Sequence, residues 1–258
     1  MSKIESKETI EWRDIDWKNV QSYVSKLQTK IYQASKSGDV VKMRKLQHTL
    51  ARSFRARLLA VRKVSQNNQG KKTAGIDGVA SITPKQRLAL AEKLRFDGKA
   101  RPVRRVQIPK SNGKVRNLGI PTIEDRAKQA LAKLVLEPQW EAKLSGSSYG
   151  FRPGRSCQDA IGDIFSSIKQ GGHKQLILDA DISKCFDEID HNYLLEKLDT
   201  FPSLRKQIKA WLKAGVQVGF GHKKEQVTDS DKGTAQGGVI SPLLANIALD
   251  SLDKKLKN

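Results

Sequence analysis

The chain has 258 residues, 48 Lys and Arg against 27 Asp and Glu, and a formal net charge of +21. That length can bury the core of one large domain or two smaller ones, and the charge favours a polyanionic partner, because cations that neutralise phosphates release condensed counterions. No run of about 18 apolar residues occurs and the first thirty residues are polar, which excludes a membrane span and a signal peptide and predicts an intracellular protein.

Residues 1–11 lack periodicity and are expected to form a loose arm. Trp17, Val20, Val24, Leu27 and Ile31 recur at helical spacing over Trp12–Ser35, and Gly38 ends the pattern. A second helix is predicted from Val40 to Gln66, capped by Asp39, with Val41, Leu46, Leu50, Phe54, Leu58 and Val61 on one face. It holds eight Lys or Arg and no acid. Such a face is commonly just solvated, yet eight unpaired cations repel one another, so Arg52, Arg55 and Arg57 are candidates for RNA contact.

Gln66–Gly78 reads as a loop and as a boundary, and Thr83–Pro84 can open a short helix to Leu94. Val103–Ile108 and Lys114–Ile120 are expected to be two strands around the turn Lys110-Ser-Asn-Gly113. Seven Lys or Arg and no acid lie between Gly98 and Ile123. A basic hairpin can simply confer solubility; it can also fold over a triphosphate, with Arg104, Lys110 and Arg116 as its cations.

Thr122 can cap a helix from Ile123 to about Trp140. The loop Ser145–Ser156 interleaves Tyr149 and Phe151 with Arg152 and Arg155, which suits stacking on nucleotides and gripping phosphate, although either ring could equally plug the core. A helix over Gln158–Lys169 then leads to the apolar run Leu176-Ile-Leu178, expected as a buried strand ending in Asp179 and Asp181. An Asp at a strand end can merely cap a turn. Here Phe186 follows Asp181 by five residues, and a helix is predicted over Tyr193–Leu198. Cys157 and Cys185 have no metal-ligand spacing and read as small buried hydrophobes.

Leu204–Leu212 is predicted helical and Gly215–Thr228 a ragged hairpin. Gly233-Thr-Ala-Gln-Gly-Gly238 can bring backbone close to a ligand, and Ser241–Pro242 starts a helix with Leu243, Leu244, Ile247 and Leu252 on its apolar face.

Four blocks, in order, resemble one family: Ile108-Pro-Lys through Arg116-Asn-Leu-Gly-Ile-Pro; Ser148-Tyr-Gly-Phe-Arg-Pro-Gly-Arg-Ser; Asp181-Ile-Ser-Lys-Cys-Phe-Asp; and Gly233-Thr-Ala-Gln-Gly-Gly-Val-Ile-Ser-Pro-Leu-Leu-Ala-Asn. Together they are similar to the fingers and part of the palm of group II intron reverse transcriptase/maturases, bacterial or organellar, and residues 12–95 resemble that family's N-terminal extension. The resemblance implies an α+β fold: an N-terminal helical unit over 12–95, then over 96–258 right-hand polymerase fingers and a partial palm with a small, mostly antiparallel sheet backed by helices. It implies that Asp181 and the Ile182 carbonyl bind two Mg²⁺ ions, with Phe186 as the gate that rejects a 2′-hydroxyl. Arg104, Lys110 and Arg116 would hold the triphosphate, Gln236 would line the nucleotide pocket, and Arg152 and Arg155 would join the RNA contacts. Partners would be group II intron RNA, an RNA template with a DNA primer, and deoxynucleoside triphosphates.

The pattern departs from the family at one point. No Tyr-Ala-Asp-Asp follows the Gln-Gly-Gly helix before Asn258, so the chain is expected to be a portion inactive alone, complemented by a C-terminal fragment, with Asp250 and Asp253 as surface charges. The rival expectation is a non-catalytic RNA-binding protein, a degenerate or split maturase; a domesticated reverse transcriptase is a third.

Overall fold

The computed structural model describes residues 11–111, 113–169, 177–218 and 226–255. After a 3₁₀ turn at Trp12–Asp14, helix α1 (Trp17–Lys36) starts where the Asp16 carboxylate accepts the Asn19 amide, and Asp39 caps α2 (Val40–Arg52) in the same way. Two helices, not one, occupy most of Val40–Gln66. Ser53 lies in extended backbone at φ −66°, ψ 126° and separates α2 from α3 (Phe54–Arg62), which runs into a π-helical turn over Lys63–Asn67. Of the residues counted on one face, Leu50, Leu58 and Val61 are buried on both sides of this break. Val41 is 82% exposed and Phe54 39%, while Met43, Gln47 and Leu50 of α2 and Ala56, Leu58, Ala60 and Val61 of α3 are buried.

All three helices pack on α5 (Ile123–Glu141), most of whose residues are buried. The Thr122 hydroxyl caps α5 by accepting the Asp125 amide. Inside it, Pro138 has no N–H, so the Leu134 carbonyl loses its usual donor. Gln28 of α1 supplies one, its Nε2 donating to Leu134 O at 3.0 Å. Nearby, Gln47 of α2 donates to Val135 O and to Gln139 Oε1 at 3.3 and 2.7 Å, and the Ser35 hydroxyl donates to Gln139 O at 3.0 Å. The helical unit is therefore keyed to α5 by buried, paired amides as well as by apolar contact.

Helix α4 (Pro84–Lys93) opens with a reciprocal capping box between Thr83 and Gln86. The sheet joins β1 (Val103–Pro109), β2 (Val115–Ile120), β3 (Val216–Val218) and β4 (Gln226–Thr228) in the order β2-β1-β3-β4. β1 pairs antiparallel with β2 and parallel with β3, and β3 antiparallel with β4. Helices α6 (Cys157–Ile168), α7 (His191–Lys197), α8 (Pro202–Leu212) and α9 (Ser241–Lys255) complete the described elements. The fold is mixed α and β, as the resemblance implies.

Other expectations change. Leu176 lies outside the described residues, but Ile177 and Leu178 are 72% and 83% exposed, and no strand forms over 177–181. A strand needs a ladder partner and a cover for its apolar side, and the described residues offer this run neither. Cys157 is exposed and Cys185 half-buried, both as free thiols. Asp250 is no surface charge; it is only 6% exposed, because α9 places it on the face of Leu243 and Ile247. The side chain of Asp253, the expected arm before Glu11 and the tip of the β3–β4 hairpin lie outside the described residues.

Candidate nucleotide and nucleic-acid site

The β1–β2 hairpin turns at Lys110, whose amide donates to Lys114 O at 2.7 Å. Its register sets Ile108 opposite Arg116 and Arg104 opposite Ile120, so Arg104 and Arg116 share a face. Arg116 and Lys110 are exposed, and Arg104 is half-buried.

The glycine loop meets this hairpin at one end and the Phe186 turn at the other. The Gly119 amide of β2 donates to Gln236 O at 2.7 Å, and Gly237, at φ 115°, leaves a space in which a Cβ would come within 2.8 Å of Gly119 O. Above that junction Arg116 Nε donates to Gln236 Oε1 at 3.0 Å. At the other end the Thr234 amide donates to Phe186 O at 2.7 Å and the Gly233 amide to Ile189 O at 2.8 Å. Gly233, at φ 80°, admits no side chain, since a Cβ would lie 2.6 Å from Asp187 O. The His191 ring seals the joint, with Nε2 2.7 Å from Gly233 O in a buried position. Behind the loop, Gln129 Oε1 accepts the Val239 amide and Ser241 Oγ donates to Ala235 O, both at 2.8 Å, which fixes the start of α9.

Arg116, Gln236 and Phe186, separated by up to 120 residues in sequence, are thus tied to one loop. Asp181 stands on the approach to Phe186. Burial pushes the Cys185 thiol up and the Asp181 carboxylate adds to that shift, so Asp181 lies close to this turn. Asp179 and Asp181 are both exposed, and Ile182 is 46% exposed.

The loop after α5 is held from within. Arg152 is buried, with Nε and Nη2 donating to Glu141 at 3.0 and 2.6 Å and Nη1 donating to the Ser145 carbonyl and, at 2.7 Å, to the Ser148 carbonyl. Arg152 is therefore a structural clamp and has no free edge for RNA. Arg155 is half-buried against the Tyr149 ring and donates to Gly146 O. Asn246 of α9 fastens the same loop, its Nδ2 donating to Gly150 O at 2.8 Å. No local sequence signal announces Asn246 or His191, because both act on partners over forty residues away.

On the helical unit, Arg55 stacks over Tyr23 at 4.7 Å and Arg62 over Trp17 at 4.3 Å, and Arg52 is exposed. Arg57 is half-buried and donates to Glu92 O at 2.7 Å, with burial lowering its pKa. Arg126 of α5, missed from the sequence, is buried and pins the preceding loop through Gly70 O and Thr73 O at 2.9 and 2.8 Å.

A basic hairpin closed onto a glycine loop, with an aromatic side chain on the adjoining turn and a carboxylate just before it, is the arrangement the resemblance implies for the fingers and part of the palm of a polymerase. Comparison with known proteins agrees. Residues 12–94 match the model of the N-terminal domain of reverse transcriptase, and residues 108–258 that of reverse transcriptase (RNA-dependent DNA polymerase). The chain is 35% identical to protein YkfC of Escherichia coli over 75% of its own length and 52% of that protein's. It is 36% identical to group II intron-encoded protein LtrA of Lactococcus lactis, over 73% of this chain and 31% of LtrA, and 29% identical to maturase-like protein 1 of Euglena gracilis, over 92% and 51%. The chain belongs to the reverse transcriptase family, in the group II intron reverse transcriptase/maturase branch. It spans about half the length of YkfC and less than a third of LtrA.

The family uses Mg²⁺. Among the described residues, however, no group of three His, Cys, Asp or Glu side chains converges to hold a metal ion. Asp181 is at most a partial donor set, so these residues do not fit a complete Mg²⁺ site. Among them, too, no helix is long and apolar enough to cross a membrane.

Proposed function

We propose that this chain forms the template-gripping and nucleotide-receiving part of an RNA-directed DNA polymerase and splicing maturase encoded by a mobile group II intron. The observation that carries the reading is the Arg116–Gln236 hydrogen bond of 3.0 Å, which closes the basic finger hairpin onto the loop that also holds Phe186. Arg116 and Lys110, with Arg104 behind them, hold the triphosphate of a deoxynucleotide; a guanidinium matches phosphate oxygens in a fork, and an ammonium acts as a point charge. Phe186 lies under the sugar and excludes a 2′-hydroxyl. Gln236 orients Arg116 and borders the base. Arg52, Arg55, Arg57 and Arg155 meet phosphates of intron RNA or of an RNA template with its DNA primer. Asp181 and the Ile182 carbonyl are the donors this segment offers to Mg²⁺; further donors have to come from outside the described residues. A complementing C-terminal fragment would supply them, and the units 12–95 and 96–258 would act as helical extension and as fingers with partial palm.

The test is RNA affinity against salt. Binding should fall by orders of magnitude between about 50 and 200 mM salt, as contacts to several phosphates require. Changing Arg52 and Arg55 together to Glu should weaken it for every RNA sequence. Affinity that stayed flat with salt would refute the reading. A non-catalytic RNA-binding role shares this surface and separates from a polymerase at the pocket: Arg116→Ala and Gln236→Ala should lower deoxynucleotide affinity while sparing RNA binding.

A further inference from the structure

Phe151 is 64% exposed and has the left-handed backbone angle φ 60°, a conformation that a bulky side chain rarely adopts. The surroundings enforce it. On one side Arg152 spends its guanidinium on Glu141, Ser145 O and Ser148 O, and on the other Asn246 holds Gly150 O at 2.8 Å. The ring so presented stands edge-on to Phe186, with centroids 6.2 Å apart and planes at 85°.

Isolated exposed hydrophobic residues are ordinary and need no explanation. A strained residue flanked by a buried ion pair and a hydrogen bond from the Asn246 amide is different, because relaxing its backbone would gain less than breaking that clamp would lose. The core does not enclose this ring, since Phe186 packs against the core while Phe151 stays 64% exposed. What remains is a flat apolar face held rigidly at the edge of a basic site, beside a second ring set perpendicular to it. That is the chemistry of a base-stacking platform, which binds any nucleobase whose face is free and is sequence-tolerant for that reason.

We propose that Phe151 stacks on an unpaired nucleobase of a bound nucleic-acid strand, with Phe186 as the adjoining wall that stops the base from sliding inward. Arg152 and Asn246 are positioning residues that hold the ring in place. The proposal rests on the reading of the chain as a nucleic-acid binder and goes beyond it by assigning a base contact.

The experiment uses the 258-residue chain and a single-stranded RNA carrying one 5-iodouridine, with a blunt duplex as the comparison ligand. Irradiation should join the probe to the peptide containing Phe151, and single strand should bind more tightly than duplex. Phe151→Gly removes the ring and suits φ 60°, so thermal stability should hold or rise while single-strand affinity falls about 5- to 150-fold, the equivalent of losing one base stack. Phe151→Trp should retain both adduct and affinity. Salt-dependent binding that Phe151→Gly leaves unchanged, with adducts only in the helical unit, would overturn this inference and spare the nucleic-acid reading. Absence of binding by the parent chain would overturn both.

Discussion

Helix α6 carries a sharper apolar stripe than α5, yet the two meet opposite fates. In α5, Leu131, Val135, Leu136 and Trp140 are 3% exposed or less, covered by α1, α2 and α3. In α6, Ile161, Ile164, Phe165 and Ile168 are 64%, 57%, 65% and 44% exposed, and no residue of that helix is buried. Both helices are well begun, α5 by Thr122 and α6 by a capping box between Ser156 and Asp159, so the difference is not one of helix formation. Amphipathic spacing states which face wants cover; it does not supply the cover. The α6 face and the exposed Ile177–Leu178 run have none among the described residues, and this is also where the expected strand before Asp181 fails to form.

Substitutions can test that contrast. The largest effect is expected in α5: Leu131→Ala should destabilise by about 2–5 kcal/mol in chemical denaturation, since the surrounding helices cannot collapse into the cavity. Gln28→Ala should follow at about 1–3 kcal/mol, because it leaves the Leu134 carbonyl opposite Pro138 with no donor, and amide exchange in the middle of α5 should quicken. Ile164→Ser should change stability by about 0.5 kcal/mol or less while reducing self-association, as expected of an apolar side chain already in water. A loss at Ile164 as large as that at Leu131 would show that α6 is covered in solution and would erase the contrast.

A pH effect sharpens the same comparison, since the edge of the α5 core is ionic. Lys128 is buried with Nζ 3.1 Å from Asp97 and 3.2 Å from Glu124. Burial opposes the charge of each partner, yet hydrogen bonds and opposite charges prevail, raising the Lys128 pKa and lowering that of Asp97. The depressed Asp97 pKa means stabilisation that is present above its ordinary value of 3.8 and is lost as pH falls through the folded value. The raised Lys128 pKa means stabilisation complete below its ordinary value of 10.5 and lost only as pH rises through the folded one. Asp97→Asn should therefore lower stability near neutrality and flatten the acid limb of a denaturation profile. An unaltered acid limb would remove Asp97 from the account.

Local signals read correctly from the sequence are those whose physics is local. Asp39, Thr83 and Thr122 cap helices because a short side-chain oxygen reaches an amide three residues on. The basic hairpin, the helix starting at Ser241 and the four ordered blocks of the resemblance were legible for the same reason, and they sufficed for the family. Tertiary structure alone decided the rest. It set the break at Ser53, buried Asp250 and turned Arg152 inward; a charged side chain's use depends on whether a partner such as Glu141 waits within reach, and sequence spacing does not encode that. It joined Arg116 to Gln236 across 120 residues and brought Phe151 against Phe186. Ile177 and Leu178 make the limit plainest, because an apolar run becomes a buried strand only when other backbone pairs with it and other side chains cover it.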